Sequence, residues 1–327
     1  MKKVFVGILF SAGGLYLAFR QMEMGDLRSA FSGVDWLMIV IASAILVISV
    51  WIRALRWRII LGPIKDVEIH PLFGATMIGY FGNSILPLRL GEFMRAFSLS
   101  RGGHSVSTSA AFGTLIVERM LDMIGIMVLI LVLFFSYPIP SWLANSGLIL
   151  SGIIILLSAI LFWVASSHDE WLGRIERLSL FQKGMGRKVK KVFYSFIEGI
   201  AALRKVTRPW WLVLYSSALW AMYWFIAWLS AQALDIEMSL IQLGIVMVSV
   251  TMIIILPSAP GFIGTYHAGA VLVLVEVFNI DQALAQAYAI INHAIGFLPL
   301  VIIGAFYFFH SSLKLREVRS MEFSPNG

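Results

Sequence analysis

The stretch GNSILPLRLGEFMRAF, residues 82–97, sets Asn83, Pro87, Arg89, Gly91, Glu92 and Arg95 in one short run. On either side the sequence is almost wholly apolar. Proline removes a backbone donor and clashes with the preceding turn, so a helix breaks near Pro87. Broken backbone and ionisable side chains are tolerated at membrane depth only where protein or a water-filled cavity shelters them. The stretch therefore predicts an interrupted, enclosed element inside a membrane protein.

The rest of the chain bears on that expectation. Its 327 residues are 59% hydrophobic and 13% charged, against about 25% charged in soluble domains. Several apolar runs reach the roughly 17–25 residues needed to cross a bilayer core. This composition excludes a water-soluble globular domain. The formal charge of +7 reflects basic loops on one side of a membrane and no nucleic-acid partner. Cysteine is absent, and the six histidines are scattered with no metal-ligand spacing, so neither a metal nor a cofactor is expected. Residues 4–19, after Met1-Lys2-Lys3, read as a retained first helix, since no cleavage motif follows.

Further apolar runs occupy residues 36–52, 110–135, 147–165, 210–234 and 283–309. Residues 166–208 hold ten Lys or Arg. Basic loops mark the cytoplasmic side, which places the N-terminus, residues 53–71, 166–208 and the tail from 313 to 327 inside. Residues 20–35, 137–146 and 235–239 then lie outside. Parity requires 72–108 to begin and end inside, and 240–282 to begin and end outside. Each of these segments reads as a hairpin broken near its middle, by Pro87 and Gly91 in the first and by Pro257, Pro260, Gly261 and Gly264 in the second. The expected fold is an all-α integral membrane protein of about six full spans plus two re-entrant or broken hairpins, arranged as an inverted-topology repeat over residues 1–312. Residues 187–204 carry apolar positions at helical spacing with lysines opposite. They read as a helix lying in the inner headgroup layer or packed on the bundle.

Three polar clusters are candidates for function. Arg89, Glu92 and Arg95 can share one helical face. Their surplus positive charge suits an anionic ligand, most obviously a phosphate; an internal salt bridge is the alternative. Glu118, Arg119 and Asp122 stand inside an otherwise apolar span. They fit an ion-pair network, with Arg53 or Arg89 as partner, or a proton-coupling site. In LPSAPGFIGTYHAG, residues 256–269, Gly261 and Gly264 permit unusual backbone, and Ser258, Thr265, Tyr266 and His267 add polar groups. A helix N-terminus there can present N–H groups to an anion. Glu276, Asn292 and His293 are further polar positions in late apolar runs.

Taken in order, Asn83-x-x-x-Pro87-x-Arg89-x-Gly91-Glu92-x-x-Arg95, Glu118-Arg119-x-x-Asp122 and Pro257-x-x-Pro260-Gly261-x-x-Gly264 resemble the signatures of the flippase-like transmembrane domain of lysylphosphatidylglycerol synthetase/flippase proteins. RALRWRIIL from Arg53 is also similar. The resemblance covers nearly the whole chain. It implies a role in moving or handling anionic or polyprenyl-linked lipids, and re-entrant helices. Many members carry Glu where this chain has His267, which puts a preference for cationic headgroups in doubt. Nothing after Phe309 is long enough for an aminoacyl-transferase domain, so no lysyl-lipid synthesis is expected of the chain itself.

The resulting expectation is a flippase of the inner (cytoplasmic) membrane and not an enzyme. Arg89 and Arg95 would hold the phosphate, Glu118 and Asp122 would position them, and Asn83 with the glycine-rich hairpin would give neutral hydrogen bonds. A membrane-embedded enzyme, or a scaffold for a separate lipid synthetase or glycosyltransferase, is the alternative. A triad for the former is not recognisable.

Overall fold

A computed structural model describes residues 2–20, 24–86, 90–167, 185–254, 259–311 and 313; those residues are all-helical, without a strand. Pro87, Arg89, Pro257 and Ser258 lie outside the described residues, as do residues 168–184 of the basic segment and residues 314–327 of the tail.

In chain order the helices are α1 (Lys2–Phe19), α2 (Met24–Ser32), α3 (Trp36–Leu61), α4 (Ile69–Ile85), α5 (Gly91–Arg101) and α6 (Thr108–Ser136). They continue as α7 (Ser141–Ser166), α8 (Met185–Ala201), α9 (Trp210–Gln232), α10 (Leu240–Ile253), α11 (Thr265–Glu276) and α12 (Gln282–His310). Four of them, α3, α7, α9 and α12, are long and apolar enough to cross a bilayer. At about 1.5 Å per residue each exceeds the ~30 Å hydrocarbon core. Their outward surface is apolar too: Ile149, Leu156, Phe162, Val213 and Ile302 are all more than half exposed. A continuous coat of that kind is foreign to a soluble monomer and belongs against lipid. The protein is a multi-pass membrane protein.

Local sequence sets the helix ends. Asp35 caps α3 by accepting from the N–H groups of Leu37 and Met38, Ser107 caps α6 through Ala110 N–H, and Ser239 and Gln242 form a capping box on α10. α4 stops at Ile85. Leu86, which precedes Pro87, is extended (φ −94°, ψ 141°), as a residue before proline is driven to be. α3 runs past the end of its apolar stretch to Leu61. Arg53 and Arg56 are therefore buried helical residues and not part of an inner loop, a correction to the sequence expectation. Their charges are met by acidic residues of α6, so the helix need not end where the apolar run does.

α4 and α5 fold back on each other. The Gly79 carbonyl approaches Gly91 so closely that a Cβ on Gly91 would lie 2.0 Å from it. Gly79 also faces Arg95, and Gly82 faces Met94, so the pair is antiparallel. α10 and α11 pack together likewise, with Gly269 against Ile253. Their junction holds Gly261 (φ 74°) and Gly264 (φ 92°), conformations that suit glycine. α1 covers this junction. Ser11 Oγ accepts the Ala259 N–H at 2.8 Å, and Gly14 lies against Gly264, so the broken backbone is sheltered by protein, as membrane depth demands.

The long helices pair in a regular scheme. α3 packs on α9; α3 also meets α4, α6 and α12, while α9 meets α10, α12 and α6. α4 packs on α12 and α10 on α6. α8 lies across α6 and α7, with Gly199 against Gly113 and with Ile197 and Ile200 buried. Val192 and Phe193, on the remaining part of its apolar stripe, stay about half exposed.

Candidate functional site

The predicted charged residues of α5 and α6 meet in the bundle, together with two arginines of α3. Glu118 is fully buried and stands at the centre. Arg95 grips it with both nitrogens, Nη1 to Oε1 at 2.8 Å and Nη2 to Oε2 at 3.0 Å. Arg53 Nη1 reaches the same Oε1 at 2.9 Å and also Asp122 Oδ2 at 2.9 Å. Arg56 donates to Asp122 Oδ1 at 2.6 Å and to Ser216 at 2.9 Å. Arg119 bonds Asp122 at 3.2 Å and Glu92 at 2.8 Å. Trp57 closes one side: the Arg95 guanidinium lies 4.0 Å over its ring, and its indole N–H donates to Thr114. Four guanidinium groups against three carboxylates leave one positive charge over.

Burial within the network is uneven. Arg53, Arg56 and Arg95 are nearly inaccessible, whereas the Arg119 side chain is 37% exposed and that of Glu92 26%. The Nε atoms of Arg53, Arg56, Arg95 and Arg119 and Glu92 Oε2 are buried without a hydrogen-bond partner among the described residues. By side-chain exposure the network thus has a closed centre, held by its own ion pairs, and one open edge at Arg119 and Glu92. Of the two phosphate-binding arginines expected from the sequence, Arg95 sits in the closed centre, bound to Glu118, and Arg89 lies outside the described residues. Asn83 spends its carbonyl oxygen on the Gly91 N–H at 2.8 Å. That bond caps the first turn of α5 and ties the α4–α5 fold together.

The glycine-rich cluster forms a second, neutral site. The Tyr266 hydroxyl donates to Asn292 Oδ1, and Asn292 Nδ2 donates to Ser230 at 2.8 Å. His293 Nε2 donates to the Gly261 carbonyl at 2.8 Å. His267 Nδ1 accepts from Gly264 N–H at 3.4 Å, and its ring lies 4.8 Å from that of His293. Thr265 turns its hydroxyl back to the Phe262 carbonyl. Ser258 lies outside the described residues. Sequence reasoning read Arg56 as a cation of the inner loop, outside the network, and missed Ser216 and Ser230 altogether. Arg53 and Arg56, three residues apart on one face, were the available signal for Arg56. No group of three or more metal-ligating side chains occurs among the described residues.

The fold and site define a class, the multi-pass helical membrane proteins with a buried arginine–carboxylate network. Within that class the chain belongs to the family described as the lysylphosphatidylglycerol synthase transmembrane region, whose model matches residues 4–304. Among curated proteins it is similar to a UPF0104 membrane protein of Methanocaldococcus jannaschii, 25% identical over 70% of this chain and 93% of that one. A UPF0104 membrane protein of Methanothermobacter thermautotrophicus is 25% identical over 84% of this chain and 83% of its own length. Glycosyltransferase AglD of Haloferax volcanii is 22% identical over 89% of this chain, which spans about half (52%) of that relative. No solved structure matches the chain.

Proposed function

We propose that the protein moves a lipid with an anionic or polyprenyl-linked phosphate headgroup between the leaflets of the inner membrane. The observation that carries this reading is the open edge of the network, where Arg119 keeps 37% of its side chain accessible beside Glu92. The headgroup phosphate exchanges with Glu92 for the Arg119 guanidinium while the acyl or prenyl chains stay in the bilayer. Arg53, Arg56 and Arg95 do not bind the lipid. They fix Glu118 and Asp122, which in turn aim Arg119. The energy cost of presenting a cation at that depth, roughly 2.5–3.5 kcal/mol on insertion scales, is offset by those carboxylates.

The same reading takes α4–α5 and α10–α11 as broken hairpins entering from opposite faces of an inverted repeat, with both chain termini cytoplasmic. Its support is a correspondence of residues and contacts. Tyr266, Asn292 and His293 follow Glu92, Glu118 and Arg119 at one constant interval along the chain. Glu92 meets Arg119, as Tyr266 meets His293; Glu118 bonds Arg53 on α3, as Asn292 bonds Ser230 on α9. The helix pairs described above exchange with one another under the same correspondence. Inverted repeats of this type place their binding sites where the two halves meet. One half then offers the phosphate a cation and the other offers it neutral donors.

The direct test is reconstitution. Purified protein in liposomes should speed the transfer of a labelled phosphatidylglycerol between leaflets. Labelled phosphatidylcholine should move far more slowly. Equal rates with and without protein for every anionic lipid tried would remove the reading. A partner role beside a separate glycosyltransferase is the second reading. It draws on the likeness to AglD, of which this chain spans about half, and it requires co-purification with such an enzyme and no lipid movement.

A further inference from the structure

A cleft of about 450 Å³ opens where the start of α4, the end of α5 and the end of α12 come together, away from both polar clusters described above. Four nitrogen-bearing side chains reach it from four elements: His70 on α4, Arg101 at the end of α5, His104 in the turn to α6, and His310 at the end of α12. No Asp or Glu lines it among the described residues. The central network differs, in that each of its arginines contacts at least one carboxylate. The remaining wall is apolar and includes Ile78, Phe306 and Leu313. Phe306 is more than half exposed, so the apolar wall runs out to the lipid-facing surface.

Local duties account for only part of this chemistry. His310 Nδ1 donates to the Phe306 carbonyl at 2.9 Å, which leaves Nε2 free of that bond. His70 Nε2 pairs with the Tyr307 hydroxyl at 3.2 Å, and the Tyr307 ring packs on Gly74, where a Cβ would sit 2.8 Å from it. That packing holds His70 and Tyr307 in place at the back of the cleft. Arg101 lies 5.2 Å over the Phe97 ring and has no carboxylate partner among the described residues. A guanidinium that has no hydrogen-bond or acidic partner among the described residues and shares its cleft with imidazoles is a site for a tetrahedral oxyanion.

From this we infer a second anion site, in which Arg101 and His104 bind a phosphate group and Ile78, Phe306 and Leu313 accept the hydrocarbon attached to it. The ligand chemistry is a phosphate ester carried by an amphiphile, or the free anion if the apolar wall contributes nothing. The site does not depend on the translocation reading, because the cleft can hold a phosphate whether or not the protein moves it.

The test uses the full chain in phosphatidylcholine nanodiscs. Retention of added phosphatidate is read by native mass spectrometry, and binding of inorganic phosphate by calorimetry. The double variant Arg101→Gln/His104→Gln should lower the apparent affinity for the bound species at least about tenfold, the effect of losing charge-assisted bonds. Arg208→Gln, which neutralises a cation in the separate cleft beside Arg58, should leave it unchanged. Retention of phosphatidate with no binding of inorganic phosphate identifies the lipid as ligand, and comparable binding of both identifies the free anion. Unchanged affinity in the double variant, or an equal loss in Arg208→Gln, overturns the site. Lipid movement measured on the same double variant separates the two proposals, since its persistence alongside lost phosphatidate retention leaves each standing on its own evidence.

Discussion

Arg95 and Glu118 form a bidentate pair at 2.8 and 3.0 Å, both nearly inaccessible to solvent, and the pair anchors α5 to α6. Such a pair is costly to assemble but far more costly to break, because the surviving charge is left buried. Glu118 is also the acceptor for Arg53. Glu118→Ala should therefore cost about 3–5 kcal/mol, seen as a large drop in thermal midpoint and in folded yield in detergent. Arg95→Lys should lose a substantial part of the same stability, since an ammonium cannot match the two parallel bonds. A Glu118→Ala protein as stable as the parent would show that the network does not hold the helices together.

Close backbone approach is a second requirement. Gly91 cannot accept a methyl group without meeting the Gly79 carbonyl and the Asn83 side chain. Gly91→Ala should destabilise by about 1–3 kcal/mol, as overpacking does. Gly152, on the lipid-facing α7, has nothing within 4 Å of the site of a Cβ. Gly152→Ala should be neutral or slightly stabilising. Matching thermal shifts for the two variants would contradict the packing described for α4 and α5.

Outside the spans, the Asp66 carboxyl is held below the usual carboxylate range by hydrogen bonds from Arg58 at 3.0 and 3.2 Å and by that guanidinium's charge. A depressed carboxylate adds stability above its ordinary pKa of about 3.9 and loses it as the pH falls through its own lower value. The pair is exposed, so the effect on stability is small. The titration is the sensitive readout: in NMR the Asp66 midpoint should lie below the ordinary value, and Arg58→Gln should return it there. An identical midpoint in the variant would mean that the pair does not form in solution.

The absence of cysteine makes topology directly testable. Single substitutions Lys65→Cys and Glu237→Cys, both at exposed positions, should react with a membrane-impermeant maleimide from opposite sides of sealed vesicles. Reaction of both from one side would rule out the inverted arrangement.

Much of this architecture is legible in the sequence, for identifiable reasons. Pro87 and Gly91, and Pro260 with Gly261 and Gly264, mark the two interruptions because proline removes a helix donor and glycine tolerates unusual backbone and close approach; proline alone does not decide it, since Pro299 lies inside the continuous α12. Glu118 and Asp122 stand out because an uncovered carboxylate in an apolar run needs a partner, and Arg53 was among the partners expected. The identity of the other partners was not legible. Arg56 follows directly on an apolar run and reads as a loop cation until the register of α3 against α6 is known. Arg95 reads equally well as a phosphate ligand or as half of an internal pair, since spacing along one helix does not say what a neighbouring helix presents. Asn83 looks like a ligand donor, and only the fold shows its oxygen on the Gly91 N–H. The basic cleft of His70, Arg101, His104 and His310 gathers residues from distant parts of the chain, which no local pattern can reveal.

The central claim, that the accessible edge of the charged network handles a lipid phosphate, is tested most directly at Arg119. Its side chain borders the network without forming its core, so Arg119→Ala should keep the protein folded, with a thermal midpoint close to that of the parent. Interleaflet transfer of labelled phosphatidylglycerol in proteoliposomes should fall at least about tenfold, the loss expected for one charge-assisted contact. A folded Arg119→Ala protein that transfers the lipid at the parent rate would contradict the account.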